Sequence, residues 1–138
     1  MTQESRTLSQ VVPVLVAALV CDVAVTDPNT RKNNLIGIFD RVNVGKFPTT
    51  RRMSLYVKVT DAEGDYDTEV RYVQVGSGKV LAQAQGKLHS ANRLASVELL
   101  IQFPPLPIPA EGRYEFQIRT NSVFLGATFI DAIPRRQS

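Results

Sequence analysis

Apolar and polar residues alternate along this chain in short runs, each closed by Gly, Pro, Asn or Asp. Successive side chains of an extended chain point to opposite faces, so alternation at period two predicts half-buried strands. The run over residues 95–103 carries the pattern plainly, with Ala95, Val97, Leu99, Ile101 and Phe103 on one face. Seven to eight such runs fill the chain almost from end to end. Turn signals at this spacing predict an all-β fold, an antiparallel two-sheet β-sandwich of immunoglobulin-like type.

The first strand is expected over residues 13–26, where seven Val between positions 11 and 25 favour strand over helix. Asp27-Pro28-Asn29-Thr30 turns the chain into one long strand over 35–44. After a break at 45–50, a third strand over 53–60 places Leu55, Val57 and Val59 inward and Tyr56, Lys58 and Thr60 outward. Strands over 66–75 and 79–88 flank the tight reversal Gly76-Ser77-Gly78. The sixth strand is the run 95–103, followed by a Pro-rich crossover at 104–109. Two closing strands lie over 113–119 and 123–133, the former with Tyr114, Phe116 and Ile118 on one face. Residues 1–12 are expected as a flexible N-terminal tail, 13–134 as the sandwich and 135–138 as a C-terminal tail.

A length of 138 residues suffices for a two-layer core without staples, and 43% hydrophobic with 21% charged residues excludes a disordered chain. Cys21 is the single cysteine, which excludes an internal disulfide and a thiolate zinc site. The net charge of +3 comes from scattered residues whose adjacent basic pairs are Arg31-Lys32, Arg51-Arg52 and Arg135-Arg136. Scatter of this kind reads as solvated surface and argues against a nucleic-acid partner. The apolar stretch at 11–20 is too short to span a membrane. It also lacks the basic start and small residue before Cys21 that an export signal needs, so a cytoplasmic location is expected.

Candidate chemistry is thin. His89, the one histidine, stands beside Ser90 without a GxSxG elbow, so no catalytic residue is assigned and the chain is expected to be non-catalytic. Five carboxylates fall within residues 61–69, and oxygen-rich loops suit Ca²⁺, with Asp61, Glu63 and Asp65 as the candidate metal ligands. The opposing reading is a solvated hairpin edge whose charges discourage edge-to-edge pairing. A PxxP spacing at 104–109 fits a polyproline ligand, or a stiff crossover. Asp22 and Asp40 interrupt apolar strands: either those faces are solvent-exposed, or one carboxylate is half-buried and held by Arg41 or a backbone donor. No cofactor is implied.

The stretch Leu19-Val-Cys-Asp22, then Asn34-Leu-Ile-Gly-Ile-Phe-Asp40, Phe47-Pro48 and Leu55-Tyr-Val57, resembles a family of short bacterial proteins known only as a domain of unknown function. Pro109-Ala-Glu-Gly-Arg-Tyr-Glu-Phe116 is similar to the last hairpin of the same proteins, and the resemblance runs from about Pro13 to Pro134. It implies a bacterial β-sandwich and carries no activity or catalytic residues. The expected function is a binding or assembly module acting through a sheet face or an edge strand, with another protein or a second copy as partner. The first strand, long and apolar, would invite such pairing from an edge position. The alternative is a cell-surface ligand-binding module using loop 61–65 for calcium or a glycan.

Overall fold

Tyr114 opens a strand, is fully buried, and ties its hydroxyl back to the preceding chain. That hydroxyl donates to Ala110 O at 2.5 Å and accepts from Ala110 N at 3.1 Å. A tyrosine at a strand start bonded to backbone a few residues upstream is the tyrosine corner of immunoglobulin-like sandwiches. Two residues on, Phe116 fills the core position that a disulfide cysteine takes in antibody domains.

The computed structural model describes residues 11–136. Its strands are β1 (Val14–Thr26), β2 (Asn33–Ile38), β3 (Arg41–Val44), β4 (Thr49–Arg51), β5 (Ser54–Thr60), β6 (Gly64–Gln74), β7 (Lys79–Ser90), β8 (Val97–Gln102), β9 (Leu106–Ile108), β10 (Gly112–Thr120) and β11 (Val123–Pro134). One sheet has the order β2-β1-β5-β8, the other β3-β11-β10-β6-β7, and β4 pairs with β9 in a small ribbon. All ladders are antiparallel except β3 on β11. The predicted sandwich is therefore present, with eleven strands rather than seven to eight because three short ones, β3, β4 and β9, join it.

Two of those additions correct the sequence reading. Residues 35–44 are two strands, because the chain changes sheets at Phe39 and Asp40. Phe39 N still donates to Val20 O of the first sheet at 3.0 Å, and Asp40 O already accepts from Asp131 N of the second at 2.8 Å. Alternation continues through such a corner, so the pattern hides it. The Pro-rich run is likewise more than a crossover: Leu106 and Ile108 are buried, and Pro107 O accepts from the Tyr72 hydroxyl at 2.9 Å. The expected tail at 1–12 lies outside the described residues as far as residue 10; Val11 O already accepts from the Tyr66 hydroxyl at 2.9 Å. Residues 137–138 of the expected C-terminal tail also lie outside them.

The core between the sheets follows the alternation. Leu55, Val57 and Val59 of β5 face Tyr114, Phe116 and Ile118 of β10 within one buried cluster. Tyr72 stacks on Tyr114 with ring centroids 5.5 Å apart, and Phe103 and Tyr72 tilt against Phe116 at 5.6 and 5.1 Å. The outer face of the second sheet is polar and threaded by ion pairs, Asp67 with Lys87 and Arg113 gripping Asp131 through bonds of 2.8 and 3.0 Å, with Asp65 meeting His89 beside them.

Two predictions follow from this packing. Phe116→Ala removes a fully buried ring from the aromatic cluster and is expected to cost about 3–5 kcal/mol by chemical denaturation; a loss under about 1 kcal/mol contradicts its central place. The Arg113 hydrogen bond holds the Asp131 carboxyl below its ordinary value. The unfolded chain takes up that proton near pH 4, the folded protein only at lower pH, so the pair's stabilisation is present above the ordinary value and lost as pH falls through the lowered one. Asp131→Asn is expected to flatten the decline of the thermal midpoint between about pH 5 and pH 2; a slope equal to the parent's contradicts it.

Candidate interaction surface

β1 is longer than the strand it leans on. Its ladder with β5 stops at Cys21↔Ser54, while its ladder with β2 continues to Thr26↔Asn33. The distal half of β1 and all of β2 form a two-stranded ribbon, and an isolated ribbon is marginal in water. This one folds back across the outer face of its own sheet. Gln102 Nε2 of β8 donates to Ala24 O at 3.3 Å, and Asn33 Nδ2 donates to Glu98 Oε1 of β8 at 2.9 Å. Since β8 is two strands away from β1, both bonds bridge over β5.

Glu98 is the anchor, its second oxygen accepting from the Tyr56 hydroxyl. Ala24, Cys21, Ser54 and Tyr56 are buried in this region. Tyr56 thus faces out of the sandwich, as the alternation predicts, yet is only 9% exposed. Burial first, then the hydrogen bond and charge of Glu98, push its hydroxyl pKa up to about 12. The Cys21 thiol is also raised, by burial and by neighbouring Asp22, and is a small buried hydrophobe.

Asp22 is held by Arg51 at 2.9 Å rather than by Arg41, and the Arg51 guanidinium lies 4.2 Å from the Phe39 ring centroid. Gly37 sits across the ribbon with φ of 72°, and a Cβ there would run into the Asp22 carboxylate. β1 does not lie at the edge: β2 pairs with its distal half, and β2 is the edge strand. Along the proximal half, Leu15 packs where Gly126 of β11 leaves room.

The other face of the ribbon looks to solvent. Val23 pairs with Ile36 and Val25 with Asn34 on it, while Cys21, opposite Ile38, is buried. Val23 and Val25 are 44% and 45% exposed, and Ile36 and Ile38 are each 57% exposed. Leu19, Ile38, Phe39 and Phe129 line an adjoining groove of about 280 Å³, and at the far end of β1 Val12 lies beside Val123. Of the thirteen large apolar residues exposed among the described residues, ten lie on β1, β2, the start of β11 and the residues just before β1. Phe124 among them pairs with Arg119 of β10, whose guanidinium lies 5.5 Å from its ring centroid, and so belongs to the second sheet rather than to the ribbon.

The candidate chemistry disperses. Asp61 accepts from Arg93 Nε at 2.7 Å, and that bond lowers its carboxyl pKa. Asp65 meets His89 Nδ1 at 2.7 Å. Glu63 is exposed, its backbone N donating to the Tyr66 hydroxyl. Among the described residues no three His, Cys, Asp or Glu side chains converge as a metal site. His89 is exposed, whereas Ser90 is buried and donates to Asn92 O at 2.9 Å, so the two do not meet as base and nucleophile. Asp40 is exposed at the sheet corner. No helix of the described residues is long and apolar enough to cross a membrane. The ribbon face itself was half legible in sequence: Val23, Val25, Ile36 and Ile38 announce strands, but nothing local says that β5 ends at Ser54.

Glu98→Ala is expected to raise hydrogen exchange of backbone amides in β2 and the distal half of β1, leaving β10 unchanged, because the anchor to Asn33 and Tyr56 is gone. Unchanged protection in β2 contradicts the anchoring role. Calcium added to the protein is expected to leave the thermal midpoint where it was, since Asp61 and Asp65 already have cationic or histidine partners; a concentration-dependent rise contradicts this.

No curated protein matches this chain. Among solved structures, the crystal structure of an immunoglobulin-like protein from Pseudomonas aeruginosa aligns with a TM-score of 0.43 and 11% identity, covering 91% of this chain and 99% of that one. The model of DUF6941, a family of unknown function, matches residues 16–132 and so takes in both halves of the ribbon and the tyrosine corner. The chain belongs to that family.

Proposed function

We propose that this protein is a non-catalytic binding or assembly module whose working surface is the aliphatic face of the β1–β2 ribbon and its continuation along β1. The observation that carries the reading is the contrast between the molecule's two outer faces. One is laced with ion pairs at Asp67 and Arg113 and a polar contact at Asp65. The other presents Val23, Val25, Ile36 and Ile38 at about half exposure with no charged residue among them. Burying apolar area is favourable by about 25 cal/mol per Å², so this face gains from any partner that covers it, while the charged face does not.

Specific contact surfaces concentrate their energy in a few apolar anchors that are covered on binding. Ile36 and Ile38, the most exposed of the ribbon residues, fill that role here. Capture from an extract of the native host tests the reading. Tagged parent protein is expected to retain specific partners, itself included, that the double variant Ile36→Lys/Ile38→Lys retains at least tenfold less. Identical retention by a variant with an unchanged thermal midpoint contradicts the proposal.

A further inference from the structure

Residues directly opposite in an antiparallel ladder point to the same face. On β7, Ala82, Ala84 and Gly86 therefore turn inward beside Tyr72, Val70 and Thr68 of β6, which are buried. β7 and β8 are edge strands of the two sheets. Where these small residues of β7 meet Leu99 and Ile101 of β8, the sheets leave a cleft of about 330 Å³ floored by Thr68 and Val70. Gly86 holds it open. Its backbone is not left-handed, and a Cβ there would meet nothing within 4 Å, so glycine at this place leaves room rather than permitting a turn.

The floor supplies the second observation. Thr68 is 6% exposed, and its hydroxyl has no hydrogen-bond partner among the described residues. Thr120, beside it on β10, is 2% exposed and equally unpartnered. A buried hydroxyl left unbonded is costly, so a ligand atom that bonds it is favoured. Lys87 is the one charged residue lining the cleft among the described residues, and its ammonium is already bonded to Asp67. An anionic head group would have to compete with Asp67 for it. Apolar walls around a few polar groups are the make of a small-molecule site. We propose that the cleft between β7 and β8 binds a small uncharged amphipath, its aliphatic body against Val70, Ala84, Leu99 and Ile101 and one oxygen accepting from the Thr68 hydroxyl. The site is separate from the ribbon face and stands or falls independently of it.

Titration of the full chain with 1-hexanol, followed by methyl NMR, tests the proposal. Saturable shifts are expected at Val70, Ala84, Leu99 and Ile101, with half-saturation in the millimolar range, and hexanoate, the same chain with an anionic head, is expected to bind several-fold more weakly. Gly86→Val fills the opening without strain and is expected to abolish the shifts while keeping or raising the thermal midpoint. Thr68→Val keeps the shape, removes the hydroxyl and is expected to weaken hexanol roughly three- to tenfold. Shifts that never saturate, that centre on Ile36 and Ile38 instead, or that persist unchanged in Gly86→Val overturn the proposal, as do hexanoate binding more tightly than hexanol and a Thr68→Val variant with the parent's affinity.

Discussion

The length mismatch between β1 and β5 is the constraint on which the rest of this structure depends. β5 stops at Ser54, opposite Cys21, and β1 runs five residues further with only β2 beside it. A two-stranded ribbon has its backbone half satisfied and neither face covered, so it must find something to lie on. It lies on its own sheet. Glu98 receives both Asn33 and the Tyr56 hydroxyl there, linking the returning ribbon to the two strands beneath it. One face of the ribbon is spent on this internal docking, with Ala24 buried, and the other carries Val23, Val25, Ile36 and Ile38 with Asn34 beside Val25.

The core and the exposed ribbon face are thereby kept in different parts of the molecule. The core around Tyr72, Phe103, Tyr114 and Phe116 holds the sheets together, and the tyrosine corner fixes the start of β10. None of these residues reaches the ribbon face. Substitutions at Ile36 or Ile38 therefore open no cavity in the core.

The sequence made the fold legible wherever burial follows a strict period of two. Leu55, Val57 and Val59, and again Tyr114, Phe116 and Ile118, are buried where the alternation puts them. It misled where three-dimensional placement overrides the local pattern. Residues 35–44 keep their alternation through a change of sheet, and Tyr56 points outward yet is covered by a segment some thirty residues earlier in the chain. The candidate site was less legible than the fold. Loop 61–65 stood out for its carboxylates, but Arg93 and His89, which meet Asp61 and Asp65, come from elsewhere in the chain. Arg51 reaches Asp22 across 29 positions. A run of charge is visible in one dimension; its partner is not.

The most direct measurement is the accessibility of isoleucine methyl groups to a soluble paramagnetic agent, read by NMR. The Ile36 and Ile38 methyls are expected to relax strongly while those of Ile118 and Ile130 do not. Ile36 and Ile38 as shielded as Ile130 would contradict the exposed ribbon face.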